Sequence, residues 1–107
     1  RQMSAASLIH TLPTEQYNQD IVSLGSHASL TALDMLRLLR DSLAITLLSV
    51  AQAIDLRQGA DRLGAGTGPV YRAIRESSAF LDADRPLESD IQRLSAALAQ
   101  HRLPVLR

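Results

Sequence analysis

The sequence contains no cysteine, which excludes a disulfide framework and a thiolate zinc site and suits an intracellular, cytoplasmic protein. It also lacks a charge excess. Eleven basic residues, every one an arginine, balance eleven acidic ones and are interspersed with them, so no basic patch of the kind that tracks nucleic acid or an anionic membrane is present. The exclusive use of arginine could favour ion pairs at interfaces, and a bias in genomic composition explains it at least as well. No apolar run follows Arg1-Gln2-Met3-Ser4 that would read as a signal peptide. No stretch reaches the about 20 predominantly apolar residues that span a bilayer. Alternating strand patterns and internal repeats are missing too, so the class is all-α. The three histidines, His10, His27 and His101, are scattered and have no carboxylate at ligand spacing, and no metal site is expected.

What the sequence does have is one very long helical pattern. From Ile21 to Arg57 there is no proline and one glycine, Gly25, while Leu, Ile, Val, Met and Ala recur at helical spacing. A helix of that extent would be roughly 55 Å long. Asp34, Arg37, Arg40 and Asp41 stand three or four residues apart and can pair along a solvated face. Between Leu43 and Leu56 the polar positions are Thr46, Ser49, Gln52 and Asp55, so apolar side chains cover nearly the whole circumference. A helix apolar all round is buried all round, and this chain offers too few partners to bury it. The missing cover is expected from further sequence or from sister subunits.

Residues 1–107 are read as a single segment of a longer chain. Residues 1–17 form an extended connection, 18–58 the long core helix, 59–69 a Gly-rich linker, and 70–107 short helices and a tail. In the linker, Gly59, Gly64, Gly66 and Gly68 with Pro69 break the helix. The linker lacks the lysine and hydroxyl of a phosphate-binding loop and follows no strand. Pro69 suits the first turn of a helix through about Ser78, with Val70, Ala73 and Ile74 inward and Arg72 and Arg75 outward. Leu81 to Pro86 reads as a polar turn. Leu87 to Gln100 reads as an amphipathic helix, capped by Ser89 and facing inward through Ile91, Leu94 and Leu98.

The densest polar chemistry is Glu15-Gln16-Tyr17-Asn18-Gln19-Asp20, directly before the long helix. At a helix start, Asn18 or Asp20 can accept orphan backbone N–H groups, and anionic groups are stabilised there. Spacing alone favours caps over chemistry.

The run Glu15 to Gly25, with Ala51-Gln52-Ala53-Ile54-Asp55-Leu56-Arg57 further along the same helix, resembles the aromatic amino-acid ammonia-lyase family, which includes histidine, phenylalanine and tyrosine ammonia-lyases and related aminomutases. The likeness covers Ser7 to Arg57, and Asp84 to Ile91 resembles the family's closing turn and helix more weakly. It implies the C-terminal part of a longer helical chain, a homotetramer with shared active sites, and the electrophile 4-methylideneimidazol-5-one (MIO), which forms from an Ala-Ser-Gly tripeptide. No such tripeptide occurs here, so the segment alone is expected to be inactive.

Carried over by resemblance, Glu15 and Gln19 are the candidate catalytic residues. Asn18 and Tyr17 are the candidate substrate-binding ones. The residue matching Glu15 lies near the substrate's amino group, and the pair matching Asn18 and Gln19 lines the pocket beside the electrophile. Tyr17 occupies a variable position, while Asp20 and Ser23 brace the helix. Histidases typically carry glutamate where Gln19 stands and lack an acid at the Glu15 position. The resemblance therefore implies an aromatic substrate of the phenylalanine or tyrosine type, with histidine or an aminomutase reaction as alternatives. From a different class, a non-catalytic helical assembly module would retain the bundle without the electrophile.

Overall fold

A computed structural model describes residues 7–104, with side chains from 9 onward. The expectations for 1–6 and for the tail at 105–107 lie outside the described residues. The architecture is all-α: α1 (Gly25–Leu56), α2 (Thr67–Ser77) and α3 (Glu88–Ala99), with 3₁₀ turns at Ser7–His10 and Ala60–Arg62. Among the described residues the only extended pairing is one isolated antiparallel bridge, Thr14 with Gln19. No described helix is long and apolar enough to cross a membrane. The chain divides into two compact units, Arg1–Leu38 and Leu39–Arg107.

The long helix begins at Gly25 rather than near Asn18, which corrects the boundary expected from the sequence. The amides that a helix at residue 18 would need are already spent. Gln19 N–H donates to the Thr14 carbonyl (3.3 Å) and Val22 N–H to the Thr11 hydroxyl (2.8 Å). The first helical bond runs from Ala28 N–H to the carbonyl of Leu24 (2.9 Å), which has φ 49°. Asn18 and Asp20 therefore cap nothing. Nor is the stretch before Leu12 wholly extended, because Ser7–His10 forms a 3₁₀ turn.

At its other end α1 stops at Leu56, with Arg57 and Gln58 between it and the first glycine of the linker. Gln58 takes the left-handed conformation (φ 48°), and Gly59 N–H reaches back to the Ile54 carbonyl (2.9 Å). This pattern closes a helix by satisfying its last carbonyls.

The core lies in the second unit. Ala44, Leu48 and Ala51 of α1, Ile74 of α2 and Leu94 of α3 are buried, with Leu47, Val70, Tyr71, Ile91, Leu98 and Leu103 packed against them. Ala44, Leu48 and Ala51 follow the i, i+4, i+7 spacing of one helix face. Full burial of Leu94 stabilises by about 1.5–3 kcal/mol. The opposite faces stay uncovered: Leu43, Ile45 and Val50 are about half exposed and Leu56 is 69% exposed. The all-round burial expected of Leu43 to Leu56 is thus met on one side only, because α2 and α3 supply a single layer.

Two further expectations need correction. Ser89 does not cap α3, whose first turn follows Leu87 without a side-chain cap. Arg75 does not face out: its side chain is 16% exposed, and Nη2 lies 2.6 Å from Asp55 Oδ2. Its Nη1 also donates to the carbonyls of Ser78 and Ala79, so the guanidinium caps the exit of α2 while pairing with α1. Arg72 is exposed, as expected.

Asp90 is 2% exposed and holds the junction between α2 and α3. Its Oδ2 accepts from Arg85 Nη2 (2.6 Å) and Ser78 Oγ (2.7 Å), and its Oδ1 pairs with Arg93. The bonds from Arg85 and Ser78 hold its carboxyl below the ordinary carboxylate range, outweighing the opposite effect of burial. A depressed folded pKa stabilises above the unfolded value and loses that contribution as pH falls through the folded one. Asp90→Ala is accordingly expected to cost about 2–4 kcal/mol in chemical unfolding of the intact protein. It should also flatten the loss of stability below about pH 4. An unchanged acid limb would show that Asp90 is not the group responsible.

Candidate functional site

The polar cluster folds as a left-handed turn. Glu15, Gln16 and Tyr17 have φ of 51°, 56° and 68°, a conformation costing non-glycine residues roughly 1–2 kcal/mol each. Three backbone bonds offset this. Asn18 N–H donates to the Glu15 carbonyl (3.0 Å), Thr14 N–H to the Gln19 carbonyl (3.0 Å), and Gln19 N–H to the Thr14 carbonyl (3.3 Å). Pro13, which fixes its own φ and lacks an N–H, leads into the turn.

The turn brings the predicted side chains together in pairs. Asn18 Nδ2 donates to Glu15 Oε2 at 3.4 Å, and Thr14 Oγ1 donates to Gln19 Oε1 at 3.5 Å. Tyr17 stands 82% exposed at the apex. Glu15, Asn18 and Gln19 are exposed as well. The result is one carboxylate and two neutral amides on a turn that no buried residue underlies. Such a set can receive an ammonium on the carboxylate and orient a polar adduct through the amides without adding charge. Asp20 follows in a bend and Ser23 in irregular chain, both exposed.

Just outside the turn, Thr11 closes the loop. Its Oγ1 accepts from Val22 N–H (2.8 Å) and donates to the Val22 carbonyl (3.1 Å). Sequence reasoning missed Thr11 and Thr14, since no periodicity signals a bond between the two limbs of a loop. His10 and His27, distant in sequence, bring their rings to 6.2 Å between centroids at 60°. Among the described residues no group of three or more potential ligands could hold a metal ion.

The second motif serves a different purpose. Gln52 donates from Nε2 to the Leu81 carbonyl (2.8 Å) and accepts from Leu81 N–H (3.1 Å) at Oε1, which also takes a bond from Arg75 (3.3 Å). Asp55 pairs with Arg75 and accepts from the Tyr71 hydroxyl. That bond, with burial and the negative charge of Asp55, raises the Tyr71 phenol above its ordinary range, against the opposing effect of Arg75. Ala51 is buried in the core. The motif thus anchors the segment after α2, and Gln52, Ala53 and Leu56 also line a cavity of about 320 Å³ beside it; the polar spacing of Gln52 and Asp55 within an apolar helix was the signal available for it.

Comparison with known proteins adds to this geometry. The aromatic amino acid lyase family matches residues 1–76. A hal-like protein of Dictyostelium discoideum is 38% identical over 106 residues, covering 96% of this chain and 20% of its own length. The tyrosine ammonia-lyase of Cereibacter sphaeroides is 38% identical over 97 residues, 89% of this chain and 18% of its own. The histidine ammonia-lyase of Natranaerobius thermophilus is 35% identical over 95 residues, again 89% and 18%. The chain thus spans about a fifth of the length of these curated relatives. No solved structure matches it.

The strain in the turn is open to direct test. Gln16→Gly removes the side-chain penalty at φ 56° and is expected to keep or raise the hydrogen-exchange protection of the Asn18 amide. Gln16→Val, β-branched in the same conformation, should lower that protection by about tenfold. Equal protection in the two variants would mean that the left-handed turn does not persist in solution.

Proposed function

Because this chain belongs to the aromatic amino acid lyase family, we propose that the protein it forms part of eliminates ammonia from an aromatic amino acid, breaking the Cα–N bond and removing a β-proton to leave an arylacrylate. The observation that carries the reading is the exposed turn that joins Glu15 to Asn18 and presents Gln19 beside them. In it Glu15 holds the amino group of the substrate as it departs. Asn18 orients the carboxylate of Glu15, and Tyr17, at the apex, contacts the substrate.

The family's electrophile, MIO, supplies the acceptor chemistry when present. The chain has no Ala-Ser-Gly from which it could form, so it would come from another part of the protein. Neutral amides at Asn18 and Gln19 fit a role lining such a group, since they add hydrogen bonds without charge. The half-exposed apolar residues of α1 support burial against the rest of the chain and against further copies, as in a homotetramer. The reading includes a cytoplasmic setting.

For the substrate we favour the phenylalanine or tyrosine type. The acid at Glu15 and the amide at Gln19 support it, as does the tyrosine ammonia-lyase among the relatives. Histidine is the second reading, because several relatives are named histidine ammonia-lyases; an aminomutase reaction would use the same turn.

Two substitutions in the intact protein test this. Glu15→Gln keeps the size of the side chain and is expected to leave melting temperature unchanged while arylacrylate formation falls about 10²- to 10⁴-fold, as for a positioned acid or base. Lost stability with preserved rate would make Glu15 a structural residue. Gln19→Glu adds a charge beside the amides and should lower turnover of phenylalanine or tyrosine by at least about tenfold. If histidine is turned over faster than either before the change, the second reading holds.

A further inference from the structure

The turn that carries Glu15, Asn18 and Gln19 has no hydrophobic core beneath it. From 9 to 38 no residue is buried, and only Thr11, Val22, Leu24 and Thr31 are even partly so. Packing therefore does not hold three consecutive left-handed residues in place. The backbone bonds between Thr14 and Gln19 close the inner part of the loop. In the outer part the hydroxyl of Thr11 exchanges two bonds with the backbone of Val22 across eleven positions of sequence, and the His10 and His27 rings meet just outside it. Two residues beyond Val22 lies Leu24, itself left-handed, whose carbonyl accepts the first bond of α1.

We propose that Thr11 is a positioning residue for the lyase reaction: its hydroxyl clasps the loop at Val22 and so holds the left-handed turn in the conformation that presents Glu15, Asn18 and Gln19. The proposal rests on the reading of those residues given above. A hydroxyl is required because the clasp uses both a donor and an acceptor on one atom, so valine, of the same shape, can make neither bond. Serine can make both. Thr11 touches no reacting group and acts through the turn alone.

The test uses the intact protein with Thr11→Val, Thr11→Ser and Glu15→Gln, singly and with Thr11→Val combined with Glu15→Gln. Thr11→Val is expected to lower kcat by at least about tenfold and Thr11→Ser to recover most of it. On the Glu15→Gln background, where the carboxylate is already gone, Thr11→Val should cost less than about threefold more, since coupled positions are not additive. The Val22 amide should lose hydrogen-exchange protection with valine and keep it with serine, an observable independent of activity.

A general structural role would lower melting temperature and reduce the rate equally on both backgrounds, and that result overturns the proposal. So does a Thr11→Val enzyme with full kcat. If Glu15→Gln alone retains full activity, the functional reading fails and the proposal with it, while Val22 exchange still reports whether the clasp exists. Should Thr11→Val not assemble, Thr11→Ala must reproduce the same losses.

Discussion

The second unit depends on a narrow seam along α1, where Ala44, Leu48 and Ala51 are the buried positions. Ile74 and Leu94 join them in one buried cluster with almost no exposed surface. Dispersion contacts of this kind are individually small and collectively large. Polar groups then determine how the chain enters and leaves that seam. Gln52 holds Leu81, Arg75 spans Asp55 and the carbonyls after α2, and Asp90 gathers Ser78, Arg85 and Arg93. Each is a buried or partly buried group with at least one partner ten or more positions away in the chain, and low-dielectric burial demands that such groups be paired.

The first unit follows a different rule. Its turn is exposed and strained, and it is held by hydrogen bonds rather than by a core. The turn leaves the side chains of Glu15, Tyr17, Asn18 and Gln19 exposed. Local conformations of this cost persist when surrounding bonds over-determine them. Here those bonds come from the Thr14–Gln19 bridge and from Thr11.

The two motifs that connect this chain to its family therefore divide the labour. One lies on the turn and carries exposed carboxylate and amides. The other lies on the helix and is occupied with structure: Ala51 fills the seam, while Gln52 and Asp55 are committed to Leu81, Arg75 and Tyr71. Both contain amide and carboxylate side chains. Their burial is what separates them.

The sequence by itself determined the helical class, the existence of all three helices and the inward positions Ile74 and Leu94. Helical periodicity and the Gly-Pro breaks are local properties that need no partner to be read. It also marked Glu15, Asn18 and Gln19 as candidate chemistry through their resemblance to a family, though not how they are held. Only the tertiary structure moved the start of α1 to Gly25, because the amides of Gln19 and Val22 are taken by Thr14 and Thr11. Only the tertiary structure turned Arg75 inward, because Asp55 stands twenty positions away in sequence and 2.6 Å away in space. Bonds between positions so far apart depend on where the fold brings the chain back to itself, and no local pattern encodes that.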